Sequence, residues 1–216
     1  MARPKARTGV LREDCVREAL AIIEKVGVEG LSLRDVARRL KVSHQAPYKH
    51  FSSRDHVLAE IVSRAFASFA QYLDARPKSD DPHEDLAAMG RAYLEYANKR
   101  PVSYRLMFGT PLPEPARNPE MIRSAQHAFS LLKACLVRMR QAEGRPVEPE
   151  GVELDALFVW ATMHGLSGIV QTSALRTLNL PPKLLTAGTS HVLARIGSAL
   201  SASDPSLPAR ATFSGG

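Results

Sequence analysis

The sequence predicts an all-α protein of nine helices. Three observations carry this: apolar residues recur at spacings of three and four through nearly the whole chain, no window alternates convincingly at period two, and residues that start or stop helices fall at the edges of the periodic stretches. A chain of 216 residues, 44% hydrophobic and 24% charged, has the make-up of a folded domain or two, not of a disordered segment.

The elements follow in order. Cys15, Ala19, Ile22, Ile23 and Val26 give a first helix from about Val10, closed by Gly27. Leu33, Val36, Ala37 and Leu40 form a short second helix, opened by Ser32 with Asp35 three residues on as a capping box. A third short helix is expected after Ser43, and a fourth over Leu58 to Leu73, capped within Ser52-Ser53-Arg54-Asp55. Asp81 caps a fifth, with Pro82 at its first position and Pro101 as its stop. A short sixth covers Val102 to Phe108, and Asn118-Pro119 opens a seventh to about Ala142. The eighth is expected from Pro149 to Leu175 and the ninth from Pro181 to Leu200, where Leu185, Val192, Ile196 and Ala199 keep helical spacing.

Charge and composition narrow the function classes. There are 29 Lys+Arg against 22 Asp+Glu, a formal net charge of +7 and a pI near 9.7, which suggests a polyanionic partner. The excess is uneven: residues 1–60 hold 12 basic and 8 acidic groups, and Arg3, Lys5, Arg7 and Arg12 all precede the first acid, Glu13. The most apolar stretch, Ala156 to Val170, is 15 residues long, short of the roughly 18–20 a membrane span needs. Two cysteines, Cys15 and Cys135, give neither a disulfide framework nor a zinc pattern. A Gly-rich phosphate loop and a nucleophile signature are also absent. The expectation is a cytoplasmic, non-catalytic protein with no cofactor and no metal.

Residues 29–62 have the organisation of a helix-turn-helix: two short amphipathic helices joined by about three residues, with Ala37 where they approach. The second offers His44, Gln45, Tyr48 and Lys49. His44 and Gln45 have the hydrogen-bonding capacity to read base edges, and Tyr48, Lys49 and His50 to flank the groove on phosphates. Arg34 and Arg54, each at a helix start, suit backbone phosphates as well. An ordinary helical hairpin with a solvated polar face is the alternative.

The run Val42-Ser43-His44-Gln45-Ala46-Pro47-Tyr48-Lys49-His50-Phe51 resembles the TetR family of bacterial transcriptional regulators, whose DNA-binding domain ends in Val-Ser-x-x-x-x-Tyr-x-His-Phe. The resemblance covers about residues 10–62. It implies that Ser43, His44, Gln45 and Ala46 face bases, that Ser32, Arg34, Tyr48, Lys49, His50 and Arg54 hold the backbone, and that Phe51 is core. Two departures stand out. Lys41 occupies a turn position that is often Gly in the family, and Pro47 lies within the expected third helix.

The eighth helix is apolar on almost every side from Ala156 to Val170, so both faces need covering. A homodimer through helices near 152–175 and 182–200 would cover the second face, and its symmetry suits a palindromic double-stranded operator. Tyr104-Arg105-Leu106-Met107-Phe108-Gly109 with Trp160-Ala161-Thr162-Met163-His164-Gly165 looks like a TetR subgroup named for a Trp, a His and a Gly on this helix. Tyr104, Met107, Phe108, His127, Trp160, Met163 and His164 are the candidate lining of a site for a small apolar effector. The alternative is that the aromatic and Met side chains are plain core and His164 a hydrogen-bonded core histidine. The expected organisation is a basic flexible arm over 1–9, a DNA-binding domain over 10–56, a ligand-binding and dimerisation domain over 57–200 and a disordered tail over 201–216. The expected function is a DNA-binding regulator, a repressor released by a small molecule. A ligand-independent regulator, an all-α enzyme and a scaffold are the alternatives.

Overall fold

The computed structural model describes residues 6–171, 177, 179 and 181–202. The predicted arm residues Arg3 and Lys5, the side chains of Arg7 and Leu185, the end of the eighth helix over 172–175 and tail residues 203–216 lie outside what is described. Eight α-helices and no strands stand among the described residues: α1 Ala6–Val26, α2 Leu33–Arg39, α3 Arg54–Asp74, α4 Pro82–Lys99, α5 Pro101–Phe108, α6 Pro119–Ala142, α7 Pro149–Gln171 and α8 Pro182–Ser201. Five of them, α4 to α8, begin on a proline, which lacks the N–H that a helix leaves unpaired there. Two expectations need correction. The first helix starts at Ala6, not near Val10, so residues 6–9 are helical instead of a flexible arm. The expected third helix is not an α-helix, which brings the count among described residues to eight.

The chain forms two compact units: the described residues up to Ala75 with Tyr96–Leu131, and Arg76–Glu95 with the described residues from Leu132 onward. In the first, α1 packs on α2 and α3 through buried Cys15, Ala19, Ile22, Ile23, Leu33, Val36, Ala37, Leu58, Ile61 and Val62. Further along, α3 packs on α5, where Phe108 meets Phe66 and Phe69 edge to face at 5.7 and 6.0 Å. A charge network ties α1 to α3. Arg12 reaches Glu60 at 2.8 Å, and Arg64 joins Glu60 at 2.7 Å and Glu13 at 2.6 Å. The Arg64 hydrogen bond holds the Glu13 carboxyl below its ordinary pKa. Burial alone would raise Glu60, but the bonds from Arg12 and Arg64 outweigh it and lower that group too. Both acids are depressed in the folded state, so their stabilisation is present above the unfolded carboxyl pKa and is lost as pH falls through the folded values.

In the second unit, Val152, Ala156, Val159 and Met163 of α7 and Ile196 and Leu200 of α8 are buried. Gly90 permits a close approach there: a Cβ at this position would lie 2.4 Å from Leu193 Cδ2. Asp85, fully buried, accepts from Arg76 at 2.9 Å, from Arg138, and from the Cys135 thiol at 3.5 Å. Burial and that carboxylate push the Cys135 thiol up to about 11, so it stays protonated and inert. The face of α7 opposite its buried stripe is apolar yet exposed: Leu154, Leu157, Phe158 and Ile169 are each 43–50% exposed. Gly165 and Gly168 lie on that same open face, with nothing within 4 Å of an added Cβ.

Candidate nucleic-acid interface

The site is built outward from α2. Its N-cap, Ser32, accepts the Arg34 backbone N–H at 3.2 Å and so satisfies one of the donors a helix start leaves unpaired. Asp35 does not complete a capping box with Ser32; it pairs with Arg38 at 2.6 Å. The C-terminus of α2 closes with two reverse bonds. Val42 N–H donates to Ala37 C=O at 3.0 Å and Lys41 N–H to Arg38 C=O at 3.2 Å, a Schellman arrangement. That closure needs a left-handed residue, and Lys41 supplies it at φ 53, a conformation that costs a residue with a Cβ about 1–2 kcal/mol.

After this turn the sequence was expected to enter a short helix. It forms instead a turn over residues 44–46 and the 3₁₀ segment Pro47–Lys49. The reason is Pro47. It has no N–H for the Ser43 carbonyl and its ring crowds that carbonyl, so an α-helical repeat cannot start across it. Ser43 C=O takes the Ala46 N–H three residues on, at 2.9 Å, and Pro47 C=O takes both His50 and Phe51 N–H, at 2.9 and 3.0 Å. The segment packs on α1 and α2, with Pro47 and Phe51 buried. Phe51 has Arg12 above its ring at 5.3 Å. Arg12, grouped in the sequence with the basic residues that precede the first acid, is thereby part of the folded unit.

On this frame the candidate reading residues divide cleanly. Ser43, His44, Gln45, Tyr48 and Lys49 are exposed, and their side chains make no hydrogen bond or ion pair among the described residues. Ala46 and His50 are half-buried. Arg34 is exposed with its guanidinium uncommitted among the described residues, whereas Arg38 and Arg39 are drawn toward Asp35 and Glu18. Arg54 is also committed: its Nη2 donates to Val28 C=O at 2.7 Å and its Nε to Leu31 C=O at 3.2 Å, while Asp55 takes Nη1 at 3.3 Å. It braces the connection between α1 and α2 from the first turn of α3. Long-range pairing of this kind leaves no mark in local spacing, and the sequence gives no sign of it.

The effector candidates fall into both units. In the first, Tyr104 and Met107 are buried core, Phe108 is half-buried among aromatic rings and His127 is exposed on α6. In the second, Met163 is buried, Trp160 is 37% exposed and His164 is half-buried, with its Nδ1 3.4 Å from the Tyr93 hydroxyl. Tyr93 was missed, although it follows Leu86 and Met89 on the inner stripe of α4. Among the described residues no group of His, Cys, Asp and Glu could hold a metal, and no helix is long and apolar enough to cross a membrane.

Comparison with known proteins bears on this site directly. Residues 16–61 match the model of the bacterial regulatory proteins of the tetR family, and residues 86–191 match that of the tetracyclin repressor-like C-terminal domain. The HTH-type transcriptional regulator Rv1816 of Mycobacterium tuberculosis is 36% identical over 90 residues, 40% of this chain and 38% of that protein. TcmR of Streptomyces glaucescens, another HTH-type transcriptional regulator, is 26% identical over 148 residues, 67% of this chain and 62% of its own. The chain thus matches about two-fifths of the length of the mycobacterial relative. Among solved structures, a Rhodococcus protein of unknown function superposes with a TM-score of 0.67 at 25% identity, covering 88% of this chain and 93% of that one. PfmR, a TetR family transcriptional regulator from Thermus thermophilus, superposes at 0.59 with 22% identity, covering 83% and 97%. None of these matches names the Trp-His-Gly subgroup.

Proposed function

The chain belongs to the TetR family of bacterial regulatory proteins, and we propose on that premise that it is a homodimeric, sequence-specific DNA-binding transcriptional repressor. One observation carries the reading: five exposed side chains within seven consecutive positions, Ser43, His44, Gln45, Tyr48 and Lys49, have hydrogen-bonding groups and no partner among the described residues. Hydrogen-bonding groups held outward on a short, packed turn suit the major groove, where base edges present donors and acceptors. His44 and Gln45 read bases, with Ser43 and Ala46 beside them. Arg34, Tyr48, Lys49 and His50 hold phosphates, and Ser32 fixes the start of the supporting helix. Arg54 acts in this reading by bracing the frame and not by touching DNA.

Residues 10–56 serve as the DNA-binding domain and 57–200 as the sensing and dimerisation domain. The apolar outward face of α7, with α8, is the self-association surface; two copies then present two reading turns to a palindromic operator. Effector sensing by a small apolar molecule is placed near Trp160, Met163 and His164, where the Tyr93–His164 contact supplies a polar anchor in apolar surroundings. Such a molecule releases DNA only by binding the two states with different affinity. The test is salt titration of duplex binding. Phosphate contacts make the logarithm of affinity fall linearly with the logarithm of salt, by about 0.9 per contact, and Lys49→Ala is expected to flatten the slope by about one unit per protomer. An affinity indifferent to salt contradicts the reading.

A further inference from the structure

We propose that Lys41 is a phosphate-anchoring residue of the DNA interface, a role that rests on the DNA-binding reading above and adds a contact to it. The observation is a mismatch between residue and backbone. Lys41 holds φ 53 at the end of α2. The end of α6 closes with the same pair of bonds, Arg145 N–H to Arg140 C=O and Gly144 N–H to Gln141 C=O, and there the left-handed position is Gly144 at φ 66. Space does not explain the different residues, since a Cβ at Gly144 would meet nothing within 4 Å. The other non-glycine residue at positive φ among the described ones is Asn179, a type that tolerates this conformation far better than lysine does. Strain kept at one such position points to function there.

What lysine adds at this point is charge. Its side chain is exposed and, among the described residues, has no carboxylate within ion-pair distance, unlike Arg38 and Arg39 just before it. Only Val42 separates it from Ser43, where the exposed polar run begins, and a four-carbon stem gives the ammonium several ångströms of reach beyond the turn. A lysine near a helix C-terminus also complements the helix dipole. That role alone predicts that losing the charge leaves DNA binding untouched, so the two are separable.

The experiment uses the full chain and a duplex enriched by the wild type from a random pool. Lys41→Gly and Lys41→Asn, which relieve the strain and remove the charge, are each compared with Lys41→Arg, which keeps both. Lys41→Gly is expected to melt about 2–4 °C higher. Its salt slope flattens by about 0.9 per protomer, roughly an eightfold loss per contact at about 0.1 M salt, alike on specific and random duplexes. Lys41→Asn behaves the same way in binding, and Lys41→Arg keeps wild-type affinity and slope. Wild-type affinity and slope in both Lys41→Gly and Lys41→Asn overturn the anchoring role while leaving the DNA-binding reading in place. A wild type that enriches no duplex and binds none overturns both.

Discussion

The turn over residues 43–50 and the outward face of α7 both present side chains to solvent, and they differ in kind. The turn exposes hydrogen-bonding groups, His44, Gln45 and Lys49, which water satisfies. The α7 face exposes Leu154, Leu157, Phe158 and Ile169, which water does not, at about 25 cal/mol for each Å² left uncovered. A hydrated polar surface can wait for its partner and let go of it. An apolar stripe of this size is stable only when covered. The comparison teaches a division of labour: the turn suits a reversible, salt-sensitive contact and α7 a standing one.

The largest effect is expected on the α7 side. In Leu157→Asp/Phe158→Asp, two apolar side chains of each protomer give way to carboxylates. With roughly 1.5–3 kcal/mol per buried side chain, the dimer dissociation constant should rise at least about a thousandfold. Sedimentation of a helical monomer checks this; an unchanged dimer, or a wild-type monomer at micromolar concentration, breaks the comparison on that side. A smaller effect is expected at the frame of the turn. Arg54→Ala removes the charged bonds to Val28 and Leu31 carbonyls, a loss of about 1.5–3 kcal/mol at most. Thermal unfolding should register it while the salt slope of DNA binding holds, and Arg54→Lys should rescue poorly because an ammonium lacks the fork that spans two carbonyls. A flattened slope with unchanged melting would return Arg54 to phosphate contact.

Much of the fold was legible because its punctuation is local. Pro82, Pro119 and Pro149 each mark a helix start in the sequence and each stands first in its helix, while Pro101, read as a stop, also opens the next one; the inward stripe of α2 reads directly from Leu33, Val36 and Ala37. Pro47 was legible as an irregularity but not in its consequence, since one missing N–H decides between an α-helix and a 3₁₀ turn only when the segment is this short. Less local features escaped. Arg12 reads as one more of the basic residues before the first acid until Glu60, 48 residues away, claims it, and Arg54 is bound to carbonyls 23 and 26 residues back. The effector candidates share aromatic and His composition, yet Tyr104 and Met107 serve as core of one unit while Trp160 and His164 sit in the other.

The measurement closest to the central claim is enrichment of duplexes from a random pool by the wild type and by His44→Ala/Gln45→Ala. The wild type should enrich a two-fold symmetric sequence with half-sites about one helical turn apart. The double variant should remain a folded dimer, keep its salt-dependent binding to random DNA and enrich no sequence. Enrichment of the same palindrome by the double variant, or of no sequence by the wild type, would contradict the assignment of residues 43–50 as the reading turn.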